Sequence, residues 1–311
     1  MDFQSTLTRR EMRLFRLIDR LLRLIGRIPR PVARFLGKAL GEAAFWLGKR
    51  HRNITLKNLR FALEQELDAA QRHSLAKAVY RNLGQILFEV GWSLNADWET
   101  LCRHIAIEGV ENYRSAYEKG KGVLAITAHV GNWELLPIVA KRAQIPINIV
   151  YRPLDFKPLD RFFERTRSRY GAKLIPSRRA LLKIIKALRR GEAVAMLMDQ
   201  NVDYYEGVWV DFFGHPACTS KAMAMIAMKT EAAVLPVFLY RPADGFRAVF
   251  GQILTPADSN GDQQKDIEAR TAQYTKVIEE GIRAEPDQWF WVHQRWKTKT
   301  FSPWPRQEQS S

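Results

Sequence analysis

Two cysteines in 311 residues are too few for the disulfide framework of a small secreted domain, and their scarcity points to a reducing compartment. Cys102 and Cys218 read most simply as small core residues. Long apolar runs are missing as well. The longest stretch free of Asp, Glu, Lys and Arg runs from Gly122 to Trp133, well short of the roughly 20 residues that cross a bilayer as a helix. Near the start, Arg9, Arg10, Arg13, Arg16, Asp19, Arg20 and Arg23 interrupt every apolar segment, so no signal peptide is expected there. The chain also lacks a glycine-rich phosphate loop and a Gly-x-Ser-x-Gly nucleophile elbow. His51, His73, His104, His215 and His293 show no paired metal-ligand spacing, and Cys102 with His104 is too little for zinc. A chain with these absences that meets a membrane should lie on it.

What is present supports a substantial core: 46% of residues are hydrophobic and 26% charged, with 9 Trp and 16 Phe. Lys and Arg number 49 against 33 Asp and Glu, for a net charge of +16, a field that attracts nucleic acid, anionic lipid or an acidic carrier protein. The distribution narrows the choice, because 15 basic and only 4 acidic side chains fall within residues 1–60. Residues 10–26 place Leu14, Leu17, Ile18, Leu21, Leu22 and Ile25 at helical spacing with arginines between them. Such a helix suits an anionic headgroup surface; an ordinary surface helix with arginines in water is the alternative. No base-reading module appears, so a nucleic-acid partner is not expected.

Pro29 and Pro31 break the chain before a second helical stretch over 32–48, and two more helices are expected within 54–95. From Gly120 the pattern changes. Gly122–Ala128, Ile147–Tyr151, Ala193–Met198 and Val234–Tyr240 are short, almost continuously apolar strands, as in sheets covered on both faces. Helices are expected between them at Leu135–Ala143, Asp160–Tyr170, Ala180–Arg190 and Lys221–Thr230, and another over 264–283. The expected class is α/β: an open, mostly parallel or mixed sheet flanked by helices, with an N-terminal helical, membrane-associating extension. The division is 1–100 for basic amphipathic helices and 101–311 for the α/β unit, unless the two form one continuous domain. The Trp-rich end, with Trp289, Trp291, Trp296 and Trp304, suits either a membrane interface or core packing.

The sharpest chemical feature runs from Ile126 to Leu136, Ile-Thr-Ala-His-Val-Gly-Asn-Trp-Glu-Leu-Leu. A strand delivers the chain to Ala128, Gly131 supplies a turn, and Asn132 is placed to cap a helix starting near Trp133. His129 thus lies just beyond a strand end, where α/β folds put reactive groups. On one straight helix, positions five apart point roughly 140° away from each other. With His129 on the loop and Glu134 in the first helical turn, the two can meet. Glu134 would then accept from one imidazole nitrogen while the other takes a proton from an attacking hydroxyl. Spacing alone equally allows a loop histidine and a solvated glutamate.

Around His129 and Glu134 the chain resembles the His-x4-Asp/Glu motif of the glycerolipid acyltransferase superfamily. More narrowly, it resembles the late acyltransferases of lipid A biosynthesis, the lauroyl/myristoyl transferases of Gram-negative bacteria. Further blocks carry the likeness along nearly the whole chain: Tyr151-Arg152-Pro153, Arg167 ahead of Tyr170-Gly171, Asp199-Gln200-Asn201, Val210 to Gly214, Thr219, Leu235-Pro236, and Gln288 to Lys297. The resemblance implies His129 and Glu134 as catalytic residues. It implies an acyl-carrier-protein thioester as donor, with no bound cofactor or metal, and a hydroxyl on a glycolipid acceptor, an acylated glucosamine disaccharide. It places the work at the cytoplasmic face of the inner membrane, with peripheral or monotopic attachment to an anionic surface. An acyl-CoA donor and another glycolipid or a lysophospholipid form the nearest alternative. Asn132, Arg152, Arg167, Asp199, Gln200, Phe213, Gly214 and Thr219 match positions expected to bind substrate. Arg152 and Arg167 suit anions, though surface pairing also explains Arg152; Asp199 suits orienting an arginine or capping a turn, and Phe212-Phe213-Gly214 suits shaping an acyl cleft. Two features depart from the family: there is no convincing spanning helix near the start, and Asn201 stands where an acidic residue is common.

Overall fold

The computed structural model describes residues 7–256 and 261–299; Trp304 lies outside them. Four helices come first: α1 Arg9–Ile25, α2 Arg30–Leu47, α3 Lys49–Leu63 and α4 Ala69–Asn95. Their boundaries follow from local chemistry. Thr8 and Glu11 form a reciprocal capping box at the start of α1, as Asp68 and Gln71 do at the start of α4. Pro31 is accommodated in the first turn of α2, where its missing N–H costs nothing. Helices α2 and α4 cross closely because a Cβ on Gly41 would sit 1.9 Å from the Tyr80 carbonyl oxygen. The basic amphipathic reading of α1 divides by face. Phe15 and Leu22 are buried with Val90, Leu94 and Phe162, while Leu17, Leu21 and Leu24 face outward among the arginines.

The rest of the chain runs α5 Trp98–Arg103, β1 Ile105–Glu108, α6 Val110–Glu118, β2 Val123–Thr127, α7 Leu136–Arg142, β3 Ile147–Tyr151, α8 Lys157–Ser168, β4 Lys173–Pro176, α9 Leu181–Arg189, β5 Ala193–Leu197, β6 Gly207–Phe212, β7 His215–Ser220, α10 Ala222–Thr230, β8 Ala233–Tyr240, β9 Phe246–Phe250 and α11 Gln263–Ala284. Seven strands make one sheet in the order β1-β9-β8-β2-β5-β3-β4. Every neighbouring pair is parallel except β8 and β9. Strands β6 and β7 form a separate antiparallel hairpin. The class is therefore the expected one, a mostly parallel α/β sheet flanked by helices.

β2 lies at the centre of the sheet and is buried along its whole length, as its run of Val, Leu, Ala, Ile and Thr requires. On one face it packs against α9, α10, α11 and the β6–β7 hairpin, and this core continues without interruption into Phe45, Leu59, Ala76 and Val79 of α2, α3 and α4. The other face is covered from α5, α6 and α7. Among the described residues, no helix is long and apolar enough to cross a membrane.

Candidate active site

Strands β2 and β5 are parallel neighbours whose register pairs Thr127 with Leu197. Two residues further on, that register brings His129 opposite Asp199. The ladder extends partway to them, since the Met198 amide donates to the Thr127 carbonyl at 3.2 Å. The carboxylate bonded to the imidazole is thus Asp199. Its Oδ1 lies 2.9 Å and its Oδ2 3.1 Å from His129 Nδ1, and Oδ2 also accepts the His129 backbone N–H at 3.1 Å. A carboxylate only accepts, so Nδ1 carries the proton and Nε2 is the basic nitrogen.

Asp199 is 1% exposed, and a fourth hydrogen bond, from Trp289 Nε1 at 2.7 Å, closes its shell. Burial alone would push its pKa up. The facing His129 charge, with the hydrogen bonds from His129 and Trp289, outweighs burial and holds it down at about 2. The His129 side chain keeps 20% of its surface open. The rings of Trp133, at 4.8 Å, and Phe290, at 5.9 Å, flank the imidazole.

The expected bond from Glu134 to the imidazole is replaced by another. Glu134 accepts from Arg167 at both oxygens, Nη2 to Oε1 at 2.7 Å and Nε to Oε2 at 2.9 Å, and from Trp133 Nε1 at 3.0 Å. The reason is the intervening backbone. Instead of entering an α-helix directly, residues Trp133–Leu135 form a 3-10 turn ahead of α7, and the Glu134 side chain turns toward α8. Arg167 is raised in pKa: burial pulls it down, but the Glu134 charge and hydrogen bonds more than offset this. Through Trp133, this pair props one wall of the imidazole.

Asn132 does not cap the turn. It is fully buried, donates from Nδ2 to Glu89 Oε2 at 2.8 Å, and leaves Oδ1 without a partner. Glu89 in turn is paired with Arg241. The turn itself needs Gly131, whose φ is +60° and whose Cβ would lie 2.0 Å from the Leu239 carbonyl oxygen.

The C-terminal segment runs antiparallel along the loop. Gly131 N–H donates to the Gln288 carbonyl at 2.9 Å, Phe290 N–H to the His129 carbonyl at 3.0 Å, and Val130 bridges to Trp289. Trp289, Gln288, Glu89 and Arg241 therefore build the site. Gln288 was visible only as part of the resemblance, Trp289 also as part of the Trp-rich end, and nothing in local spacing marks Glu89 or Arg241. Of the remaining expected residues, Gln200 is half-buried beside Asp199 and Arg152 is exposed after β3.

The others are occupied in the β6–β7 hairpin. Phe213 and Gly214 both have positive φ at its turn, and the Phe213 amide donates to Glu279 at 2.8 Å. Thr219 is fully buried and accepts from Arg295. The structure does not bring these three to the imidazole; the hairpin packs against the site through Phe212, whose ring centroid lies 5.6 Å from that of Trp289. Asn201 donates from Nδ2 to Thr298 Oγ1 at 2.8 Å and accepts the Thr298 amide at 3.1 Å. An aspartate would lose the donor. Among the described residues, no group of three or more His, Cys, Asp and Glu is placed to hold a metal ion.

Comparison with known proteins identifies what the chain as a whole is similar to. Residues 2–298 match the model of the bacterial lipid A biosynthesis acyltransferase family. The chain is 30% identical over 275 residues to a lipid A biosynthesis palmitoleoyltransferase of Escherichia coli K12, covering 88% of this chain and 87% of that one. It is 28% identical over 279 residues to a lauroyltransferase of lipid A biosynthesis from the same organism, covering 89% of each. A phosphatidylinositol mannoside acyltransferase of Mycolicibacterium smegmatis is 23% identical over 205 residues, covering 64% of this chain and 65% of that one.

Proposed function

The chain belongs to the bacterial lipid A biosynthesis acyltransferase family and is an acyltransferase acting on lipid A, and we propose that it transfers the acyl chain in one step, with His129 as general base and Asp199 as the carboxylate that orients it. The observation that carries this reading is the imidazole pinned through Nδ1 to a buried, ionised Asp199, with part of its surface open. Nε2 takes the proton of the acceptor hydroxyl as its oxygen attacks the thioester carbonyl. On collapse the carbon–sulfur bond breaks and the new ester remains. The thiolate leaves with the proton from the imidazolium, which Asp199 has stabilised in the interval. Glu134 acts from behind, holding Arg167 and Trp133.

The proposed donor is an acyl-carrier-protein thioester and the acceptor a hydroxyl of an acylated glucosamine disaccharide. An acidic carrier has a matching surface in Arg178, Arg179, Lys183, Lys186, Arg189 and Arg190, all exposed on and around α9, beside the exposed Leu181 and Leu182. Attachment is proposed to be peripheral, at the cytoplasmic face of the inner membrane, through the outward faces of α1 and α2. The likeness to a phosphatidylinositol mannoside acyltransferase keeps a second reading, transfer from acyl-CoA to another glycolipid.

The test is acyl transfer by the purified protein, with acyl-carrier-protein and CoA thioesters offered separately and the product read by mass spectrometry. His129→Ala should abolish transfer, and Asp199→Asn should lower kcat by on the order of 10³- to 10⁴-fold by disturbing the tautomer. A His129→Ala protein within tenfold of the parent would remove the base from the mechanism. Preference for the CoA thioester would favour the second reading.

A further inference from the structure

A second cluster of cations lies behind the catalytic turn, and the acyl-transfer step does not use it. A cleft between α2, α4 and the turn joining β8 to β9 is lined by Arg30, Arg34 and Arg241, with Gln85, Glu89 and Trp92 among its other walls. Arg241 is nearly buried, its side chain 7% exposed, and Glu89 engages its Nε–Nη2 edge. Its Nη1 is buried with no acceptor. Arg30 is half-buried with its guanidinium 5.0 Å from the Trp92 ring centroid. Burial, the largest influence, lowers the Arg30 pKa; attraction by Asp244 opposes it, repulsion by Arg34 adds a smaller lowering, and Glu89 a smaller attraction still. Among the described residues, no carboxylate forms an ion pair with Arg30 or Arg34.

Holding like charges together in a partly desolvated cleft is unfavourable unless an anion shares them. Even with Glu89 and Asp244 counted, three guanidinium groups leave the cleft net positive. Planar guanidinium forks match the oxygens of a tetrahedral phosphate better than they match a single small anion. On the same helix, Val32, Phe35 and Leu36 turn outward and are exposed, so a charged headgroup in the cleft would leave its apolar chains beside apolar surface.

We propose that this cleft between α2, α4 and the β8–β9 turn binds a terminal phosphate group, either the phosphomonoester headgroup of an amphipathic lipid or free inorganic phosphate. Arg30 and Arg34 grip two of its oxygens and Arg241 Nη1 reaches a third. The site stands whatever the acyl donor and whichever group is the base, because none of its arginines touches His129. It lies one residue from the catalytic turn, since Glu89 holds Arg241 and Asn132 together.

The full-length protein should be titrated with inorganic phosphate by calorimetry and thermal shift, and sedimented with phosphatidylcholine vesicles with and without phosphatidic acid. Arg30→Gln/Arg34→Gln should weaken the phosphate response, the phosphatidic acid response, or both, at least tenfold. The exposed pair Arg114→Gln/Lys119→Gln removes the same charge elsewhere and should leave both responses unchanged. A loss confined to vesicles identifies the lipid headgroup as the ligand, and a loss confined to inorganic phosphate identifies the free anion. Responses equal in the cleft variant and the parent, or equally reduced in the control pair, overturn the proposal. The single Arg34→Gln variant repeats the comparison should the double variant fold poorly.

Discussion

Glu134 and Asp199 exchange the contacts expected of them: Asp199 bonds the imidazole, and Glu134 is the carboxylate that holds an arginine. Asp199 meets the imidazole because parallel neighbours in register present the same depth of chain, whereas Glu134 is led away by a 3-10 turn toward Arg167. The consequence is measurable. Arg167 keeps only 19% of its side chain open and Glu134 6%, so truncating Glu134 leaves a buried cation without its partner. Glu134→Ala should therefore lower stability by about 3 kcal/mol as well as activity, since removing one member of a buried pair strands the other. Glu134→Leu/Arg167→Met should recover most of that stability in urea unfolding while activity stays low. A Glu134→Ala protein as stable as the parent would show that the pair adds nothing to the fold.

At the scale of elements, the two strand ends of the site are fastened by the C-terminal segment. The Asn201 amide, just past β5, donates to His293 Nε2 at 3.0 Å. That bond requires a neutral ring. Burial, the largest influence, lowers the His293 pKa to about 4 from an ordinary 6.5, with nearby Asp199 opposing the shift. A histidine that resists protonation in the folded state binds fewer protons there than when unfolded between these two values. Stability is then present above pH 6.5 and is lost as pH falls toward 4. The loss should reach about 3 kcal/mol at 1.36 kcal/mol per unit, and His293→Gln, which keeps an acceptor without the titration, should flatten it. Parallel stability–pH curves for the two proteins would assign the loss elsewhere.

The same scale shows what could be read from the sequence. The four strands expected from continuous apolar runs, β2, β3, β5 and β8, are contiguous in the interior of the sheet. The three that were not expected, β1, β4 and β9, lie toward its edges. Interior strands are covered on both faces and must be apolar throughout, while Ile-Ala-Ile-Glu at β1 and Lys-Leu-Ile-Pro at β4 carry little pattern. The position of His129 beyond a strand was legible for the same reason. Its partner was not, because the β2–β5 pairing is a property of strand order, and local spacing offered a nearer carboxylate in Glu134. The expected Asn132 cap failed likewise: a buried amide was claimed by Glu89, 43 residues away in sequence.

For the whole molecule, the question is how a chain of net charge +16 with no spanning helix among its described residues reaches a lipid substrate. Helix α1 exposes Leu17, Leu21 and Leu24, and α2 exposes Val32, Phe35, Leu36 and Leu40, with Trp46 and Leu47 at its end. Each large side chain moved from water into the acyl boundary gains on the order of 1.5–3 kcal/mol, and neighbouring arginines add attraction to anionic headgroups. Deleting residues 1–26 is a poor probe of this, because Phe15 and Leu22 belong to a core shared with α4 and α8. Replacing exposed residues is cleaner. Leu17→Ser, Leu21→Ser, Phe35→Ser and Trp46→Ser together should reduce partition onto anionic vesicles at least tenfold. Melting temperature and turnover on detergent-dispersed substrate should stay close to those of the parent, since none of the four is buried. Residual binding should fall further as salt rises, because screening weakens only the arginine contribution. If the substituted protein partitions as well as the parent, the outward faces of α1 and α2 are not a membrane-attachment surface.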